Sequence, residues 1–349
     1  MLVRKFAVIA VLFCFLTIPA AALEMEAPPV PAAGAERMPS QTKDFGAALM
    51  EILGDAIAAF RPDLKEAAQS SGAVLAGCMA VSLLTAFPGH RRGAAELAGT
   101  VMSAGILLRS TKSLIVLGAD TVAQISEYGK LLLPVMAASL AAQGGVTSAA
   151  SIYAGTAAFD AVLSGLISSI LVPMIYLFLA LAAGCGALED PVLKKLRDGM
   201  KWAVSWCLKT ILYVYTGYIG ITGVVSGTTD AGALKAAKLT IAGVVPVVGS
   251  ILSDASEAVL VSAGAVKNAA GVYGMLAILA VWIGPFLRIG AHYLILKALA
   301  LVCGAFGVRQ ISEVVDGFCA AMGLLLAMTG TVCLMMIIST VCFMKGVGL

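Results

Sequence analysis

Long apolar stretches without a single charged residue recur along most of this chain. One of them, residues 161–183, contains no Asp, Glu, Lys or Arg. Folded as an α-helix, a stretch of this length can cross the hydrocarbon core of a bilayer. Charged residues make up 12% of the chain and apolar residues 60%, whereas a soluble domain carries ~25% charge. Such a chain cannot cover a water-exposed surface, so the sequence predicts a protein that lies in lipid.

The amino terminus has the three parts of an export signal. Arg4 and Lys5 precede an apolar run over residues 6–18, which Pro19 ends, and three alanines follow at residues 20–22. The run is too short to span a bilayer comfortably. We therefore predict a signal peptide over residues 1–22, with an uncleaved anchor as the alternative. Either interpretation places the next segment outside the cytoplasm.

The predicted extracytoplasmic segment, residues 23–70, has two parts. Residues 24–39 are rich in Pro, Ala and Glu, a composition that predicts disorder. Over residues 45–60, apolar side chains recur at helical spacing and acidic ones occupy the other face. This pattern predicts an amphipathic helix on the membrane surface or against a partner. Pro62 is expected to end that helix or to open a second short one.

Residues 71–349 are predicted to form a polytopic transmembrane domain. The fold class is therefore all-α, a helical membrane protein with about six to eight membrane segments, some of them re-entrant or broken. The apolar windows behind this count are residues 71–87, 97–118, 131–159, 161–183, 203–225, 239–252, 272–287, 289–306 and 318–344.

Clusters of Lys and Arg indicate the orientation of these segments, because basic loops of membrane proteins stay in the cytoplasm. Residues 90–92 and 194–201 are therefore placed in the cytoplasm, and the chain near Asp120 outside. One net crossing then fits between Asp120 and the second cluster, although two apolar windows lie there. The sequence accordingly predicts a re-entrant hairpin over residues 131–150 and a crossing over residues 161–183.

Proline and glycine mark candidate helix breaks in this hairpin and in a similar short segment further along the chain. The candidate breaks are Pro134, Gly144, Gly145, Pro246 and Gly249. Paired broken segments in two halves of a membrane protein are typical of a transport pathway. A parallel internal repeat is therefore one interpretation, and a chance similarity between two segments of small residues is the other.

Several polar side chains lie within or beside the apolar windows, where an ionised group costs about 3 kcal/mol or more. Two pairs share a helix face, since their members are three or four residues apart. One interpretation is that they line a polar path or a subunit interface. The other is that they mark span ends, reach the interface or pair for structural reasons. These candidates are Asp254, Glu257, Lys267, Asn268, Arg288 and His292.

No residue pattern in the sequence is typical of an active site. The chain lacks a P-loop, a nucleophile-elbow motif, a zinc-protease motif and a dinucleotide fingerprint. It has two histidines, and its eight cysteines include no C-x-x-C pair. We therefore expect no catalytic residue, no cofactor, no metal and no enzyme activity. The small net charge of +3 predicts no nucleic-acid binding.

Three stretches of the sequence are similar to those of a known family. The first is residues 132–150, and the second is residues 201–223 followed by 233–238. The third is residues 246–249, 253–255 and 266–272, and it includes Pro246, Gly249, Asp254, Lys267 and Asn268. In order and spacing, over roughly residues 131–349, they resemble the stage III sporulation protein AE family of endospore-forming bacteria. The export signal and the polar exported segment fit this family as well.

The resemblance implies a role that composition does not show. It implies a multi-pass protein in the mother-cell membrane around the forespore, within a channel or secretion-like complex that sustains late forespore development. The implied partners are other membrane and extracytoplasmic subunits of that complex, including a cytoplasmic ATPase, besides the lipid bilayer. A homo-oligomer is a further option. The alternative function is a stand-alone secondary transporter with its site at the broken helices.

Overall fold

The computed structural model describes residues 28–39, 45–86, 92–188, 190–244 and 249–345. Side chains are described in these ranges except at residues 61–63, 66, 92 and 223–266. All regular structure in the described ranges is helical, which confirms the all-α class. The predicted signal peptide, residues 1–22, lies outside them. The helices are α1 (Ala32–Ala35), α2 (Phe45–Ala86), α3 (Arg92–Ala142), α4 (Val146–Leu166), a π-helix (Ile167–Leu171), α5 (Val172–Leu188), α6 (Pro191–Val244), α7 (Gly249–Ala305) and α8 (Arg309–Lys345).

The described part of the N-terminal segment differs from its prediction. Residues 28–39, expected to be disordered, contain α1, which packs against α7. Gly34 is buried there, and a Cβ atom at Gly34 would lie 2.7 Å from Val281 Cγ2. Apolar contact with the bundle therefore orders a segment that is too polar and too rich in proline to fold alone.

The amphipathic helix and the first apolar window form one continuous helix, α2, of 42 residues. Ala48, Ile52 and Ala56 are buried on α2 and pack against α7. This apolar face of α2 is thus covered by another helix of the same chain. Pro62 neither ends α2 nor opens a second helix, and contacts on both sides of it offset the lost backbone hydrogen bond.

Helix α3 runs through Pro134, so the predicted break at that residue is wrong. Leu133 and Met136 are buried on either side of the proline and hold the helix in place. The windows 97–118 and 131–142 consequently belong to one helix of 51 residues, ~77 Å long at 1.5 Å per residue. It passes Asp120 without ending, and the first half of the predicted hairpin is simply the end of α3.

The chain reverses at Gly144, which has a φ of 89°. This left-handed conformation favours glycine because a Cβ atom would crowd the following carbonyl. Gly145 follows with a φ of −86° and precedes α4. The two glycines predicted as a break therefore lie in the turn between α3 and α4.

From the turn, α4, the π-helix and α5 continue as one helical stretch over Val146–Leu188. Pro173 lies directly after the π-helix. A proline has no N–H and crowds the preceding turn, and a single wider π turn accommodates its ring without ending the helix.

Five helical stretches in the described ranges are long and apolar enough to cross a membrane: Ala67–Ala86, Gly93–Ala142, Val146–Leu188, Lys267–Ala305 and Arg309–Lys345. We predicted six to eight segments from the sequence, because charged residues and prolines were interpreted as the ends of membrane segments. The windows 272–287 and 289–306, for example, are joined through Arg288 in α7. The window 203–225 lies in α6, which is not among the five.

Helix α8 lies at the centre of the bundle and packs against α3, α5, α6 and α7. At one end of the bundle, Ser82 Oγ donates a hydrogen bond to the Phe306 carbonyl (3.0 Å), and Thr100 Oγ1 lies 3.5 Å from Gln310 Oε1. We call this the basic end, since α6 and α8 begin there with Lys194, Arg197 and Arg309. At the opposite end, the far end, α3 turns into α4.

Candidate functional site

A buried carboxyl group, that of Asp160, lies on the longest apolar stretch without other charges. Its helix α4 carries no other Asp, Glu, Lys or Arg, and Asp160 is 3% exposed. Ser126 Oγ of α3 donates a hydrogen bond of 2.6 Å to Asp160 Oδ2. Among the described residues, Oδ1 has no hydrogen-bond partner. One oxygen of a carboxyl group at membrane depth is thus free to accept.

Hydroxyl groups from α6 and α8 meet one helical turn away from Asp160. Thr156 precedes Asp160 by four residues and shares its face. Thr156 Oγ1 lies 2.8 Å from Ser339 Oγ and 3.3 Å from the Tyr215 hydroxyl. Tyr215 is fully buried. We call these five residues the Asp160 cluster: Ser126, Thr156, Asp160, Tyr215 and Ser339.

The cluster lies where α4 and α6 approach each other closely. A Cβ atom at Gly155 would overlap the ring of Tyr218, whose hydroxyl donates to the Ser151 carbonyl at 2.9 Å. Phe159 packs at this contact between α4 and α6, and its ring centroid lies 5.4 Å from that of Tyr215 in an edge-on arrangement. At Gly165, by contrast, a Cβ atom would meet nothing within 4 Å. Small size is therefore required at Gly155 and not at Gly165.

The arrangement defines what Asp160 can do chemically. A carboxyl group with one hydroxyl donor and one free oxygen can hold a proton, accept a small cation or fix neighbouring helices by hydrogen bonds. The cluster itself contains no cationic side chain. Lys130, one turn after Ser126 on α3, is exposed. Ionisable groups in such positions mark functional sites in many membrane proteins, so Asp160 is our leading candidate.

The side chains of four of the six polar residues predicted from the sequence are described, and they do not lie together. Lys267 is buried on α7, 18 residues after Gly249 begins that helix, and Asn268 beside it is exposed. Arg288 and His292 lie further along α7, ~32 Å and ~38 Å from Lys267 at 1.5 Å per residue. His292 Nδ1 is 2.9 Å from the Arg288 carbonyl, so its ring bonds to its own helix.

The other predicted positions fall at the edge of the described part. The side chains of Asp254 and Glu257 lie outside it, as does Pro246. Gly249 is the first residue of α7. The prediction of a polar path through these residues is therefore not tested.

Arg288 faces the N-terminal segment. It lines a cavity of ≈430 Å³ between α1, α2 and α7, together with Glu36, Arg37 and Phe60. Arg37 Nη1 donates to the Ala33 carbonyl at 2.9 Å, and its guanidinium packs on Gly284, where a Cβ atom would lie 2.9 Å from Cζ. Arg288 thus belongs to the surface of α7 on which the N-terminal segment packs.

Sequence reasoning missed Asp160. The residue lies between the windows 131–159 and 161–183, and it was treated as the boundary between them. A lone acidic residue inside one long apolar run is the signal that identifies it. Nothing local to Asp160 indicates Ser126 or Ser339, which are distant in sequence. Within the described ranges, no group of three or more His, Cys, Asp or Glu side chains is arranged to hold a metal.

Comparison with known proteins gives the chain its family. The family model of stage III sporulation protein AE matches residues 45–346. The stage III sporulation protein AE of Bacillus subtilis (strain 168) is 23% identical over 188 residues, which cover 54% of this chain and 47% of that relative. No solved structure matches. Because the family model extends over most of its length, the chain belongs to the stage III sporulation protein AE family.

Proposed function

We propose that this chain is a membrane subunit of a sporulation-specific channel or secretion-like complex that links the mother cell and the forespore. The observation that carries the proposal is the family match over residues 45–346, on a bundle whose described part has five helical stretches able to span a membrane. In this proposal the protein lies in the mother-cell membrane around the forespore. Its N-terminal segment is extracytoplasmic, and its activity sustains late forespore development.

The packing of the bundle favours a subunit over a conduit made by one chain. Large side chains such as Phe318, Met328 and Phe343 on α8 are fully buried. The described core is therefore filled mainly by apolar side chains, and the polar groups of the Asp160 cluster are buried among them. A passage for a large cargo would need walls from several chains. The proposed partners are other membrane and extracytoplasmic subunits and a cytoplasmic ATPase.

The described surface offers room for such partners as well as for lipid. Large apolar side chains are exposed along several helices, including Leu83 on α2, Val162 on α4 and Ile221 on α6. In a membrane these positions contact acyl chains or the helices of neighbouring subunits. Exposure of this kind suits a protein that assembles within the bilayer.

A stand-alone secondary transporter is the second candidate, and the free oxygen of Asp160 favours it. Intramembrane carboxyl groups bind the coupling proton or cation in many transporters. Such a transporter works without partners in reconstituted vesicles. A subunit of a complex instead co-purifies with small membrane proteins and is inactive alone.

Deletion and complementation in the endospore-forming host test the proposal. Without the gene, we expect development to stop after the forespore is engulfed, and complementation should restore heat-resistant spores. A tagged chain purified from sporulating cells should bring other membrane proteins with it. Normal spore yield in the deletion strain, or a chain that purifies alone and transports solute in vesicles, would overturn it.

A further inference from the structure

Helices α6, α7 and α8 enclose a cavity of ≈460 Å³ at the basic end of the bundle. Cationic side chains from all three helices line it. Two carboxylates from α8 lie among them. The charged lining residues are Lys194, Arg197, Lys297, Arg309, Glu313 and Asp316.

Four cationic side chains line the cavity, against two carboxylates of α8 and that of Asp198, which accepts from Arg197 Nε and Nη2 at 3.0 Å. Glu313 is shared, with Lys194 Nζ 2.8 Å from Oε2 and Arg309 Nε 3.3 Å from Oε1. Lys297 Nζ lies 2.6 Å from Asp316 Oδ1. A lysine ammonium has three donors and a guanidinium five, so each cation keeps N–H groups that these pairs do not use. The carboxylates hold the cations around the cavity without neutralising all of them.

Two features place the cavity at the depth of lipid headgroups. It lies at the ends of two apolar spans, Lys267–Ala305 and Arg309–Lys345, where the hydrocarbon region must stop. On α6, two to three turns after Lys194, Trp202 and Trp206 stack with ring centroids 6.0 Å apart and are 66% and 56% exposed. Exposed tryptophans concentrate at the membrane–water interface.

An apolar surface adjoins the charged lining. Leu301 of α7 lines the cavity and is 69% exposed. The neighbouring Val302 is 40% exposed. A bound molecule with a negative head and an apolar tail would contact both surfaces at once, whereas a free anion or an acidic peptide would leave the apolar one uncovered.

We propose that this cavity binds the phosphodiester headgroup of an anionic phospholipid, with an acyl chain along Leu301. The cations donate charge-assisted hydrogen bonds to the phosphate oxygens, and the surplus positive charge attracts the anionic leaflet. The inference does not depend on the proposed function. It concerns how this bundle holds lipid, in any assembly that contains it.

The test measures lipid binding by the purified full-length chain in detergent micelles. Phosphatidylglycerol, cardiolipin, phosphatidylcholine, inorganic phosphate and an acidic peptide are titrated separately, and the bound molecules are counted by native mass spectrometry. We expect phosphatidylglycerol and cardiolipin to bind and phosphatidylcholine to bind weakly. The double variant Lys297→Gln/Arg309→Gln should bind anionic lipid about tenfold more weakly. The matched control is Lys195→Gln/Lys201→Gln, two exposed positions on α6 outside the cavity lining.

The remaining outcomes each contradict the proposal. Equal weakening in both double variants would mean that surface charge alone attracts lipid. Inorganic phosphate that competes fully with phosphatidylglycerol would mean a general phosphate site. An acidic peptide that binds where anionic lipid does not would assign the cavity to a protein partner. If the cavity variant fails to fold, the proposal is tested on the unaltered chain alone. That chain must bind phosphatidylglycerol more tightly than phosphatidylcholine, and its phosphatidylglycerol binding must weaken as the salt concentration rises.

Discussion

At the scale of the residue, the two oxygens of Asp160 have different surroundings. Oδ2 accepts from Ser126, and Oδ1 has no partner in the described part of the chain. If the carboxyl serves only to join α3 and α4, then any acceptor of the same shape will suffice. If it must hold a proton or a cation, an amide cannot replace it. An isosteric substitution therefore separates the two roles.

We predict that Asp160→Asn leaves the protein level unchanged and lowers the yield of heat-resistant spores by about tenfold or more, because an amide keeps the shape and the Ser126 contact without the charge. Spore counts and immunoblots of sporulating cells provide the measurement. Asp120→Asn, at an exposed position on α3, is the control and should sporulate normally. Full spore yield from Asp160→Asn would show that Asp160 acts as a hydrogen-bond acceptor alone.

Gly155 gives a second prediction at this scale. Gly155→Ala should destabilise the bundle by about 1–3 kcal/mol, since its Cβ atom would overlap the partly buried ring of Tyr218. Gly165→Ala meets open space and should be neutral or stabilising by up to about 1 kcal/mol through helix propensity. Unfolding in a mixed-micelle denaturation series compares the two. Equal stability would mean that α4 and α6 do not approach as closely as described.

At the scale of the element, local sequence signals predicted turns well and helix continuity badly. Gly144 was predicted as a break, and its positive φ explains why glycine stands there. Pro134 was predicted as a break too, yet α3 continues through it. A proline removes one backbone hydrogen bond, and burial of its neighbours on other helices outweighs that loss. Sequence alone does not reveal those neighbours.

The turn between α3 and α4 supplies a matched pair of variants. Gly144→Ala forces a side chain into the left-handed region and should cost about 1–2 kcal/mol of stability. Gly145 is buried but has a φ of −86°, which any residue adopts, so Gly145→Ala should cost less stability than Gly144→Ala. The midpoint of denaturation of each variant, in the same detergent, is the measurement. A Gly145→Ala variant that is the less stable of the two would contradict the described turn.

At the scale of the whole molecule, composition sufficed to predict a helical membrane protein, whereas the number and joining of its helices depended on contacts between distant segments. The candidate site shows the same division. The lone charge of Asp160 can be identified in the sequence. Ser126, which bonds to Asp160, and Tyr215 and Ser339, which bond to Thr156, come from three other helices. Helices α3 and α6 begin at the same end of the bundle, as the predicted orientation requires, and the orientation itself stays a prediction.

That shared end leads to a prediction about the orientation of the protein. If the basic end faces the cytoplasm, a cysteine introduced by Lys195→Cys should be protected from an impermeant maleimide in intact cells and labelled after permeabilisation. A cysteine introduced by Gln143→Cys, in the turn at the far end, should be labelled in intact cells. The native thiols give little background, because Cys78, Cys185, Cys303, Cys319 and Cys333 are buried; the unaltered chain is the control for the rest. Labelling of Lys195→Cys in intact cells, with Gln143→Cys protected, would place the basic end outside, where a cytoplasmic ATPase could not reach it.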